Sequence, residues 1–266
     1  MNFLSAIILK MKLKIISLLF VLALTSLACS ISAGGPTQPV SEAPTAESGP
    51  TSAPEATFTS PPPTATIAPP SNLSEFLSDI RVTAFDDFST VDGWTTYNPG
   101  TGKLTDGVFE ITGQEDWSSG LVRNHSFGEG QGVVLEFKYD KNSKFEFIFE
   151  AGEYQTDSYR RFGVFGFDYP QANLTQGPNE LGHKILQGNF QPHPDRWYNF
   201  MAGIGQDGNF IAVIWMADDP SSFIIYKEKI GEKWDGLTWT FTAKAADTGM
   251  TLYLDNFAEI SFSAIK

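Results

Sequence analysis

Phe145, Phe147 and Phe149 alternate with Glu146, Ile148 and Glu150. Side chains change face at every residue of a strand. Segment 144–150 therefore puts three phenyl rings on one side and Lys144, Ile148 and two carboxylates on the other. Three rings on one side of one strand need an apolar layer facing them, which a second packed sheet supplies. The same demand recurs at 237–244, where Leu237, Trp239 and Phe241 oppose Thr238, Thr240 and Thr242. Segments 197–205 and 209–216 flank the turn Gln206-Asp207-Gly208 and are apolar on both faces. They read as a central, covered hairpin. Further short runs lie at 82–87, 108–112, 120–123, 133–139, 159–168, 223–228, 250–256 and 258–264. Asp92-Gly93, Asn98-Pro99-Gly100 and Asp247-Thr248-Gly249 are turn signals between them. Helical periodicity is confined to one short stretch, 72–80. The pattern predicts an all-β jelly-roll sandwich of two antiparallel sheets over residues 72–266. Segment 169–194, rich in Pro, Gly, Asn and Gln, reads as its longest irregular stretch, a place where function often sits.

The first 71 residues are of another kind. Residues 15–28 form an apolar run of about 14, too short to span a bilayer and of the length of a signal-peptide core. Lys10, Lys12 and Lys14 precede it, and Met11 would by itself start a compact signal peptide. The run ends at Cys29, the only cysteine of the chain. A lone cysteine in an exported protein has no intramolecular disulfide partner. Leu24-Thr25-Ser26-Leu27-Ala28-Cys29 resembles a bacterial lipobox, with Ser26 and Leu27 where the pattern has Leu and a small residue. That resemblance implies a signal peptide over 1–28, cleavage before Cys29, and diacylglycerol on Cys29 as a membrane anchor at the cell surface. Residues 29–71 then form a disordered Pro/Thr/Ser-rich linker. Pro61-Pro62-Pro63 and Pro69-Pro70 exclude helix and ladder, and large apolar residues are scarce. Extended, it would reach on the order of 100 Å.

The chain carries 18 Lys+Arg against 31 Asp+Glu. Loss of Lys10, Lys12 and Lys14 with the signal peptide takes its formal charge from −13 to −16. Such a surface repels phosphate backbones, so nucleic acid is not an expected partner. His125, His183 and His193 are the only histidines, and there is no G-x-S-x-G elbow. No His/Cys spacing of the zinc type and no glycine-rich phosphate loop before a helix occurs.

Three stretches carry a family likeness: Phe85-Asp86-Asp87-Phe88 with Gly93-Trp94, then Trp197-Tyr198 with Asp207-Gly208-Asn209-Phe210, and Leu252-Tyr253-Leu254-Asp255-Asn256-Phe257. Together they resemble the concanavalin A-like lectin/glucanase superfamily, nearest in style to laminin G-like and keto-disaccharide-hydrolase-like domains of bacterial lipoproteins. The resemblance implies ligands on one sheet face or its rim loops. It also implies a structural calcium joining first and last strands, with Asp86, Asp87 and Asp255 at the matching positions. Laminarinases and lichenases of the superfamily place catalytic carboxylates as E-x-D-x-E. Here Glu146 and Glu150 match, but Ile148 replaces the central Asp. Carboxylates four apart on a strand lie about 13 Å apart at the backbone, and a retaining pair needs about 5–5.5 Å between carboxyls.

The expected function is display of a non-catalytic, glycan-binding sandwich. Glu146, Glu150 and Arg161 would serve as hydrogen-bond partners, and Tyr159 and Trp215 as stacking aromatics, with Trp94, Trp117, Tyr169 and Trp234 as further candidates. The alternatives are a glycoside hydrolase using Glu146 and Glu150, and a structural or adhesive domain without a small ligand.

Overall fold

The computed structural model describes residues 72–266, apart from 116–117, 141–143, 167–168 and 230–235. The expected signal peptide, Cys29 and the linker to residue 71 lie outside the described residues, as do Trp117 and Trp234.

A one-turn helix α1 (Leu73–Phe76) leads into β1 (Leu77–Ser78) and β2 (Arg81–Asp86). Next come β3 (Trp94–Thr96), β4 (Gly102–Thr105), β5 (Val108–Thr112), β6 (Ser119–Phe127) and β7 (Gln131–Tyr139). They are followed by β8 (Phe145–Ala151), β9 (Arg160–Phe165), β10 (Gln171–Gln176), β11 (Asn179–Ile185) and β12 (Gln187–Gly188). The last are β13 (Tyr198–Ile204), β14 (Asn209–Met216), β15 (Phe223–Lys229), β16 (Trp239–Ala245), β17 (Thr251–Ser261) and β18 (Ala264–Ile265).

Seven strands make one sheet in the order β11-β10-β9-β8-β16-β6-β3. Nine make the other, β12-β15-β14-β13-β7-β17-β5-β4, with β2 also on β17. The pair β1-β18 stands apart. All these pairings are antiparallel. The architecture is the all-β sandwich of two antiparallel sheets that the alternation predicts.

Phe145, Phe147 and Phe149 point into the space between the sheets and are fully buried. Phe147 stacks on Phe200 of the facing sheet with ring centroids 4.5 Å apart. Trp239, Phe241, Ala243 and Ala245 of β16 fill the same layer. Since successive side chains alternate, Glu146, Ile148, Glu150, Thr240, Thr242 and Lys244 fall on the outer face of the seven-stranded sheet.

The nine-stranded sheet has an apolar outer face too. Met201, Ile211, Val213 and Trp215 form a second cluster there with Leu73, Phe76, Leu77 and Ile265. The helix and the β1–β18 pair thus cap that face, as the two-sided apolar pattern of β13 and β14 requires. Two sheets and two buried apolar clusters are built from residues 72–266, a core of the size on which a domain folds.

Two expectations need correction. The helix occupies only Leu73–Phe76, because Leu77 and Ser78 pair with β18. Segment 169–194 is largely not irregular: β10 and β11 form a hairpin within it, followed by β12. Gly177, at φ +60°, begins the turn before Pro178. Asn and Thr in β10 mark an outward face rather than a loop, while Ala172 and Leu174 face the core.

Candidate functional site

An open groove of about 860 Å³ runs over the outer face of the seven-stranded sheet. Its floor is built from cross-strand neighbours. Glu150 pairs with Arg161 across β8–β9, and Ile148 with Gly163. Gly163 also faces Asn173 on β10. A Cβ on Gly163 would stand 2.7 Å from Glu146 Oε1, so glycine here leaves space for the carboxylate. The β10–β11 hairpin forms one wall through Asn173, Thr175, Pro178 and Glu180. Tyr97, Tyr154 and Tyr159 contribute aromatic surface.

Glu146 is buried, and its Oε1 accepts from Arg161 Nη2. Burial pushes its carboxyl above the ordinary carboxylate range, and the charges of Arg161 and Lys244 oppose that rise. Glu150 is half-buried, and its Oε2 accepts from the Tyr159 hydroxyl at 3.1 Å. Burial and the charge of Glu150 raise the Tyr159 phenol. Tyr159 is only 4% exposed. Its ring instead meets Tyr154 edge-on, centroids 5.2 Å apart, and Tyr154 is 70% exposed. Tyr97, 46% exposed, carries Lys244 Nζ over its ring at 4.4 Å. Asn173 Nδ2 donates to Glu180 Oε1, which also lies 2.7 Å from His183 Nε2.

The structure brings Glu146, Glu150, Arg161 and Tyr159 together. Trp215 is elsewhere: it is 1% exposed, in the capped cluster on the other sheet. The two-sided apolar pattern of its strand is the reason, and it offers no face to a ligand. Trp94 is buried with its Nε1 on Asp86, and Tyr169 is 58% exposed but does not line the groove.

No family model matches this sequence, and no curated protein matches it. Solved structures do match. One is the laminarinase from Flavobacterium sp. UMI-01, at TM-score 0.51 and 10% identity over 68% of this chain and 100% of that one. Another is SCLam, a non-specific endo-beta-1,3(4)-glucanase from family GH16, at TM-score 0.52 and 9% identity over 70% and 93%. A third is the VIP36 exoplasmic/lumenal domain in a Ca2+/Man3GlcNAc-bound form, at TM-score 0.49 and 9% identity over 66% and 86%. The fold is that of the concanavalin A-like lectins and glucanases.

Asp86, Asp87 and Asp255, where the concanavalin A-like resemblance implies calcium, each accept a hydrogen bond from the protein. Among the described residues no three His, Cys, Asp or Glu side chains gather as metal ligands. Asp86 is committed otherwise: its Oδ2 accepts from Trp94 Nε1 at 2.7 Å and from Arg123 Nη1 at 3.3 Å. Asp87 Oδ1 accepts from the Ser89 amide and Asp255 Oδ1 from the Asn256 amide. Arg123 also donates Nε to Glu259 Oε1 at 2.8 Å and lies over the rings of Trp94 and Phe257. This guanidinium, from β6 of one sheet, binds carboxylates on β2 and β17 of the other.

Residue-by-residue reading misses Tyr97, Tyr154, Asn173 and Lys244, and also the wall residues Gln155, Thr175, Pro178 and Glu180. Lys244 is the next outward step after Thr240 and Thr242. Asn173 alternates with Ala172 and Leu174. Tyr97 and Tyr154 stand outside the strands, where no periodicity marks them.

Proposed function

We propose that this chain is an exported, lipid-anchored surface protein whose sandwich binds carbohydrate in the groove without cleaving it. The observation that carries the reading is the groove itself. It combines an exposed ring, Tyr154, with carboxylate, guanidinium, amide and ammonium groups suited to hydroxyl-rich ligands. The fold it shares with a laminarinase and an endo-glucanase supports that class of ligand. Three features favour binding over hydrolysis. Glu146 is held by Arg161, Glu150 by Tyr159, and the buried Ile148 separates them.

A glycan array probed with residues 72–266 should give signals that Tyr154→Ala weakens. An array without signal would favour a display domain lacking a small ligand. Release of reducing ends from β-glucans would refute the non-catalytic reading. The anchor rests on Cys29 following the apolar run 15–28. An alkyne fatty acid should label the full chain in a bacterial host and leave Cys29→Ser unlabelled.

A further inference from the structure

Cations gather in the groove of a chain whose formal charge is −13. Past Arg161, Asn173 and Lys244 the groove continues into a recess of about 350 Å³. The recess is lined by Lys144, Arg161, Lys244 and His183, the last held at 2.7 Å by Glu180 of the groove beside it, and by one carboxylate, Glu146. That carboxylate is already paired with Arg161.

Lys244 is the unusual member. It stands opposite Glu146 in the β8–β16 register. Yet among the described residues its ammonium has no ion pair within 4.0 Å and no hydrogen bond; it rests over the Tyr97 ring. Glu146, Glu150 and Arg161 act on it only at longer range. Burial lowers its pKa, so the ammonium has lost water without gaining an acceptor. A lysine head has three donors and accepts nothing. A carboxylate or sulfate would meet those donors with charge-assisted bonds, about twice as strong as neutral ones. Glu150 and Glu180 line the wider part of the groove and not the recess. The two parts therefore suit different groups: neutral hydroxyls in one, an anion in the other.

We infer that the groove selects saccharides bearing an acid group, a uronate carboxylate or a sulfate ester, and seats that group on Lys244 beside the Glu146–Arg161 pair. This rests on the carbohydrate reading of the groove and adds the ligand's charge and its direction along the groove.

Calorimetric titration of residues 72–266 tests it with three probes of equal length: oligogalacturonate, a sulfated galactan oligosaccharide and a neutral cello-oligosaccharide. One acidic probe should bind at least about tenfold more tightly than the neutral one, a difference of about 1.4 kcal/mol. Which acidic probe wins identifies the group. Raising NaCl from about 50 mM to about 500 mM should weaken the acidic ligand and spare the neutral one. Lys244→Met should erase the preference and Lys244→Arg keep it, with thermal melts confirming folding. Should Lys244→Met not fold, the salt response of the wild type decides. Equal affinities, or a preference that survives in Lys244→Met, overturn the inference and leave carbohydrate binding standing. No binding by any probe, together with a silent glycan array, overturns both.

Discussion

The two outer faces of the sandwich are built from different side chains and meet different surroundings. On the nine-stranded sheet, Met201, Ile211, Val213 and Trp215 are covered by α1, β1 and β18. On the seven-stranded sheet, Ile148 and Gly163 are flanked by Glu146, Glu150, Arg161 and Lys244, and the face is open. The first face gains stability from removing apolar area from water. The second keeps polar groups half-buried, which costs stability unless partners meet them. Exposure of one face and coverage of the other therefore separates a ligand surface from a structural one.

The largest expected effect breaks the capped face. Trp215→Ala should cost about 3–5 kcal/mol in urea denaturation, while binding per folded molecule stays unchanged. Next is Arg123, which holds carboxylates of both sheets. Arg123→Met leaves Asp86 and Glu259 without it and should cost about 3 kcal/mol. Chelator separates this guanidinium from a metal: an unchanged wild-type melting temperature leaves Arg123 as the cation of Asp86 and Glu259, and a drop assigns calcium to this edge. On the open face, Gly163→Val crowds Glu146 and should reduce saccharide binding at least about tenfold, with less than about 2 kcal/mol lost in stability. Tyr154→Ala should weaken binding severalfold and move stability by less than about 0.5 kcal/mol.

The smallest effect concerns pH. Glu146 titrates above a free carboxyl because of its burial. The stability linked to its proton is whole below the unfolded value near 4.3 and is lost as pH rises through the raised folded value. Glu146→Gln should flatten that acid-side slope of the urea midpoint. An unchanged slope would mean that Arg161 already cancels the effect of burial.

The sandwich was legible because strands such as 144–150 and 237–244 alternate without interruption. The groove was half legible. Glu146, Glu150 and Arg161 follow from alternation plus strand order. Trp215 shows the weakness of residue type as a guide: a tryptophan on a strand apolar on both sides is packing material, and only the cap formed by Leu73, Phe76 and Ile265 shows what it packs against. The β10–β11 hairpin stayed hidden because its pairing is a backbone property, while Gln, Asn and Gly signal turns. The commitment of Asp86 to Arg123 joins residues 37 apart in sequence, and no local pattern reports such a contact.

The β1–β18 ladder has a consequence for how this unit can be combined with others. Leu77 lies opposite Ile265, and the Lys266 amide donates to the Phe76 carbonyl at 2.9 Å. Residues at both ends of the sandwich thus leave it side by side. A unit with adjoining ends can be spliced into a surface loop of a host protein, or re-cut with new termini, without stretching either partner. The joint would sit on the capped sheet, so the groove on the other sheet would stay clear of the seam in any such fusion.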